Sequence, residues 1–116
     1  MGRESYAAAM AEIAKTRLSR LRDVGWSVWD PIGLCRPGTS WQDDPGADEY
    51  DGYLLKVAGM LAQVASDSAC VDYLVWVETE HMGLGERPDT RERAGETVRA
   101  IRETLSMVPG KDSPAR

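Results

Sequence analysis

Four stretches of this chain repeat apolar residues at intervals of three and four, and each is bracketed by residues that start or stop a helix. That period gives an α-helix one buried stripe and leaves the rest of its surface to water. Residues 3–24 carry Tyr6, Met10, Ile13, Leu18 and Leu21 in this rhythm, with Gly25 placed as a C-cap. A second helix has Tyr50, Leu54, Val57, Leu61 and Val64 as its stripe and runs to about Ala65. Asp44 is its expected N-cap and Pro45 its first helical residue, with Asp48, Glu49 and Asp51 in the first turns. A third, capped by Ser66 or Asp67, carries Cys70, Leu74, Val77, His81 and Leu84 and ends at Gly83 and Gly85. The fourth has Asp89 as its expected N-cap, repeats Ala94, Val98, Ile101, Leu105 and Val108, and stops at Pro109.

No stretch alternates with the period of two that a half-buried strand would show. The expected architecture is all-α: a small four-helix bundle, with short connections that make the later helices antiparallel neighbours. Residues 26–46 form a long irregular loop between the first two helices. It holds three tryptophans, Trp26, Trp29 and Trp41, that should pack onto the bundle. Residues 1–108 form one helical domain, and 109–116 a flexible tail.

Charge is spread unevenly. Residues 43–86 carry ten acids and the single base Lys56, a local charge of −9, while each flank is +2. An acidic centre argues against nucleic-acid binding, which draws on a concentrated basic face. It suits either pairing within the chain or a basic protein partner. No run approaches the ~20 apolar residues of a membrane span. Residues 1–15 lack the basic–apolar–cleavage pattern of a leader. Two cysteines, Cys35 and Cys70, show no metal or disulfide spacing, and reduced thiols in a cytoplasmic protein are the expectation.

Hairpin geometry supplies the sharpest site candidate. If the second and third helices turn near Ser66, Asp51 and His81 lie equally far from the turn. Asp48 and Asp51 are three apart, as are Glu78 and His81, so each pair shares a helix face. Facing each other, these four could hold Mg²⁺ or Mn²⁺, with Glu49 or Glu80 as a water-activating base. The arrangement resembles the paired acidic motifs of all-helical nucleotide pyrophosphohydrolases, with Asp in place of each Glu of the first motif and His81 in place of an Asp in the second. That resemblance implies a metal-dependent phosphohydrolase. Glu78-x-x-His81 also resembles half of a ferritin-like di-iron site, but the chain has one histidine and cannot supply the other half. The structural alternative needs no metal: acids at a helix start complement the dipole, and His81 becomes a buried neutral imidazole partnered by Asp51 or Tyr50.

A second constellation joins Trp29-Asp30-Pro31-Ile32-Gly33-Leu34 to Asp48-Glu49-Tyr50-Asp51 and Tyr53. It resembles a group of short bacterial helical proteins with a Trp-Asp-Pro-Ile-Gly block, then an Asp-Glu-Tyr-Asp-x-x-Tyr block, then Gly-Leu after the next helix. The resemblance spans about Leu21 to Leu84; it implies a compact helical fold and no particular activity. Asp30 is expected to start a turn with Pro31 in second position, while Trp29 and Ile32 plug the bundle's end. The functional reading of Trp29, Asp30, Trp41, Tyr50 and Tyr53 is an acid-rimmed aromatic pocket for a cationic group. With no phosphate loop or nucleophile motif, the expectation is a non-enzymatic interaction or regulatory module for a basic partner, of antitoxin or immunity type.

Overall fold

The hydroxyl of Ser66 accepts a hydrogen bond from the Ala69 N–H at 3.1 Å and starts a helix, as its place in the sequence anticipates. The computed structural model describes residue 15 and residues 17–38, 40–63 and 65–106. Helix α1, residues 17–24, runs straight into a π-helical turn at Gly25–Trp29. A single 3₁₀ turn, Trp41–Asp43, interrupts the loop that follows. Helix α2 spans Asp51–Ala62; α3 spans Asp67–Trp76 and continues as a second π-helical turn, Val77–His81; α4 spans Thr90–Ser106. Among the described residues there is no strand, and the fold is the all-α four-helix arrangement that the periodicity anticipated. Tyr6, Met10, Ile13, Val64, Val108 and the tail 109–116 lie outside the described residues.

The stripes converge on one core. Leu21 of α1, Leu54, Val57 and Leu61 of α2, Cys70 and Leu74 of α3, and Ala94, Val98 and Ile101 of α4 are all buried. Each large side chain removed from water in this way stabilises the fold by about 1.5–3 kcal/mol. Helix α3 lies along α4, α2 packs on both, and the Gly25–Trp29 turn is held against α4. No helix of the described residues is long and apolar enough to cross a membrane, and Cys35 and Cys70 are both free thiols.

Four helix ends differ from expectation. Gly25 does not cap α1. The chain passes through it into the π turn, closed by the Asp30 N–H bonding the Gly25 carbonyl at 2.8 Å. A Cβ at Gly25 would lie 2.7 Å from a Leu54 methyl, so a larger residue there would have to displace that core side chain. Helix α2 begins at Asp51, not at Pro45. Residues 44–50 wind as successive turns, Ala47 to Asp44, Glu49 to Gly46 and Asp51 to Asp48, and the Asp44 carboxylate accepts from the Gly46 N–H at 2.7 Å. Asp89 directs its carboxylate to the Arg93 guanidinium, and the Arg87 N–H finds the Thr90 hydroxyl instead. Finally, α3 widens into its π turn at Val77, where the Met82 N–H reaches back five residues to the Val77 carbonyl.

The acidic centre and basic flanks are joined by ion pairs. Asp51 binds Arg22, Asp67 binds Arg102, Asp72 binds Arg91, and Glu78 binds Arg87 and Arg93. Much of the charge asymmetry is thus internal complementarity. Asp43, Asp44, Asp48, Glu49, Glu80 and Glu86 make no salt bridge among the described residues.

Candidate functional site

The first π turn ends at Asp30, whose backbone is left-handed (φ 36°, ψ 57°), a conformation aspartate tolerates better than most residues. From there its carboxylate reaches three donors: the Leu34 N–H at 2.7 Å, the Cys35 N–H at 3.1 Å and the Tyr50 hydroxyl at 2.8 Å. The Gly33 N–H bonds the Asp30 carbonyl, which closes the turn with Pro31 in second position. Trp29 is buried, whereas Ile32 is 44% exposed, so only the tryptophan plugs the bundle.

Tyr50 is fully buried, and its hydroxyl both donates to Asp30 and accepts from the Ile32 N–H at 3.2 Å. Burial, reinforced by the bond to Asp30, pushes its pKa well above the ordinary value of 10.0. A raised folded-state pKa means that stability is fully present below the unfolded value and is lost as pH climbs past it. Stability should therefore fall as pH rises above about 10. Tyr50→Phe should cost about 1–2 kcal/mol at neutral pH yet flatten that alkaline loss, measured by urea unfolding across pH 8–11. Tyr73, also pushed up by burial, should leave a smaller residual slope.

Glu78 is the buried acid among the described residues, with no exposed surface. Arg93 meets it with two nitrogens at 3.2 and 2.8 Å, Arg87 stands at 3.5 Å, and the Thr90 hydroxyl donates at 3.0 Å. Arg93 also bonds the Trp29 carbonyl at 3.0 Å, and Arg87 the Pro31 carbonyl at 2.6 Å. Glu78 and these two arginines therefore tie the second π turn and α4 to the end of the first π turn. Burial works against the Arg93 charge, but its bonds to Glu78 and Asp89 outweigh it and raise its pKa.

The proposed metal quartet does not come together. Asp51 is held by Arg22 at 2.6 Å, Glu78 is enclosed by arginines, and Asp48 and His81 are exposed. Among the described residues, no three His, Cys, Asp or Glu side chains are grouped as a metal ion would need. The hairpin itself is as expected, since Tyr53 at the start of α2 meets His81 at the end of the π turn that continues α3, with ring centroids 5.8 Å apart. Two residues along a helix amount to roughly 200° of rotation, so the face that presents Tyr53 to α3 turns Asp51 away. On the other side, the π turn undoes the shared face of Glu78 and His81, because an i,i+3 pair aligns only on a regular α-helix. Glu78 goes inward and His81 outward. The imidazole contacts Tyr53 and Trp76 instead of Asp51 or Tyr50. Glu49 and Glu80, the candidate bases, are both exposed.

The expected aromatic pocket is largely core. Trp29 stacks obliquely on Tyr50 at 5.4 Å and edge-on to Tyr53 at 6.0 Å, with Trp26 6.2 Å from Tyr50. Trp41 lies apart, beneath the Arg22 guanidinium at 5.4 Å, with its indole N–H on the Asp23 carboxylate at 2.8 Å.

From Tyr53 the rings continue outward. His81 lies nearly parallel on Trp76 (5.5 Å, 26°), and Trp76 on Tyr73 (6.4 Å, 26°). Trp76 is 51% exposed. Sequence reasoning passed over this residue, although the signal was present. Asp72 and Trp76 are four apart on the polar side of the helix, so a tryptophan stood where a solvated side chain belongs. No protein-family model matches this chain, and neither does any curated protein or solved structure. What this surface can do follows from its own chemistry.

Proposed function

We propose that this protein is a non-enzymatic interaction module that captures an arginine-bearing, basic protein partner on the Tyr73–Trp76–His81 face. The observation that carries the reading is a half-exposed tryptophan with a tyrosine and a histidine ring stacked against it. Four residues later comes the Glu80 carboxylate, which forms no salt bridge among the described residues. Exposed tryptophan is the residue type most concentrated at interaction hot spots. A guanidinium laid on a ring face gains about 0.5–2 kcal/mol. Glu80 and Glu86, which form no salt bridge among the described residues, set a negative field that favours encounter with a cationic surface. A regulator or immunity-type protein that shields a basic partner would need this combination.

The reading is tested by titrating the protein with an arginine-rich nonapeptide and following binding by calorimetry. Trp76→Ala should weaken binding about tenfold, equivalent to ~1.4 kcal/mol, and Glu80→Gln should weaken it at low salt more than at high salt. Equal affinity for wild type and Trp76→Ala, or no binding at low salt, would overturn it. Native-cell pull-downs with wild type and Trp76→Ala then ask whether one basic protein is recovered stoichiometrically with the first and lost with the second.

A further inference from the structure

We infer that His81 makes the Trp76 face acid-sensitive: the face holds a cationic partner while the imidazole is neutral and releases it as the imidazole gains a proton. The inference deepens the capture reading above and rests on it. Imidazole is the side chain that ordinarily changes charge between about pH 5 and 8, and this chain has a single histidine. What a proton does to the molecule in that range is set largely by where His81 sits.

Three observations put that charge where a partner would feel it. First, the imidazole is exposed and lies nearly parallel on Trp76, 5.5 Å away at 26°. Trp76 is the half-exposed ring on which the partner's guanidinium would rest. Second, the groups that face the imidazole are aromatic. Tyr53 approaches from α2, edge-on at 5.8 Å, and Tyr73 of α3 stacks on Trp76 in turn. Third, no carboxylate is spent on neutralising it. His81 forms no salt bridge among the described residues. In its own π turn, Glu78 is buried and taken up by Arg87 and Arg93, while Glu80 is exposed.

A neutral imidazole stacked on the indole adds ring area and leaves the indole's negative π surface to an incoming cation. An imidazolium in the same place draws on that π surface itself and repels a second cation at close range. Arginine keeps its charge throughout, so the change comes from the protein's side alone. A like charge about 6 Å away, in surroundings between water and protein surface, weakens a cation's binding by about three- to tenfold. Linkage is reciprocal, so a bound partner must in turn drive the proton off.

The test is calorimetric titration with an arginine-rich nonapeptide at pH 7.5 and pH 5.5, at one low ionic strength. The peptide is acetylated and amidated, so it has no titrating end group. Carboxylates ordinarily titrate near about 4, below this window. Wild type should bind about three- to tenfold more weakly at pH 5.5. His81→Gln, an exposed substitution that leaves the core intact, should bind equally at both values. At pH 6, binding to wild type should release protons, seen as a measured heat that changes with the ionisation enthalpy of the buffer; His81→Gln should release none. Binding that depends on Trp76 but is equal at both pH values overturns this inference and leaves the capture reading standing. An acid loss that persists in His81→Gln overturns it too, because another group then carries the proton. Absence of binding at pH 7.5 defeats the capture reading, and this inference with it.

Discussion

Replacing Arg93 by methionine is expected to remove about 3–5 kcal/mol of folding stability. Its side chain is only 16% exposed, and it holds Glu78, which has no exposure at all. The methionine would fill much of the arginine's volume, so the loss comes from charge. Glu78 would keep Arg87 at 3.5 Å and the Thr90 hydroxyl, but not the two-nitrogen contact. The Trp29 carbonyl would lose its donor as well. A domain of this size has roughly 5–15 kcal/mol in total, so the variant should be marginal at 25 °C in urea unfolding. Two comparisons isolate the cause. Arg87→Met should cost much less, because that side chain is 43% exposed and screened by water. The double variant Glu78→Leu with Arg93→Met should recover part of the loss, since an apolar pair carries no stranded charge. A double variant weaker than Arg93→Met alone would show that the ion pair is not the source.

Asp30→Ala is expected to cost about 3–4 kcal/mol in the same urea titration, from two separable causes. Alanine in the left-handed region is strained by about 1–2 kcal/mol, and three hydrogen bonds to the carboxylate disappear. Asp30→Gly removes the bonds without the strain and should sit between wild type and alanine. Asp30→Asn keeps an acceptor and tolerates the backbone, so it should be the mildest. If glycine proves as damaging as alanine, backbone strain contributes nothing and the hydrogen-bond hub carries the whole effect. The Trp29-Asp30-Pro31-Ile32-Gly33 block thus has a defined structural role. It ends a π turn, reverses the chain and anchors the buried Tyr50 hydroxyl.

Much of the architecture was legible because helix signals are local. The Ser66 cap and the stripes Leu54–Val57–Leu61 and Ala94–Val98–Ile101 act within one or two turns, and the structure has each where the pattern put it. Helix α4 nevertheless buries more than its apolar residues announced. Thr90, Thr97 and Thr104 recur every seven residues and are all buried. Thr97 and Thr104 return their hydroxyls to the carbonyls of Arg93 and Ala100, and Thr90 gives its own to Glu78. A hydropathy pattern scores threonine as polar and misses that a hydroxyl satisfied by its own helix can line a core.

The candidate site was less legible, and the reason is distance along the chain. That helices two and three form a hairpin, with the start of one level with the end of the other, follows from element lengths alone. Which carboxylate meets which arginine does not: Glu78 and Arg93 are 15 residues apart, Asp51 and Arg22 are 29, and Asp67 and Arg102 are 35. Local composition determined four amphipathic helices, the Ser66 cap and a charge surplus at the centre, because propensity, period and dipole act between near neighbours. Only the packed molecule decided that Glu78 points inward, that His81 points outward and that Trp76 stands in solvent. A π turn changes which side chains share a face, and whether a helix widens there depends on what the rest of the chain presses against it.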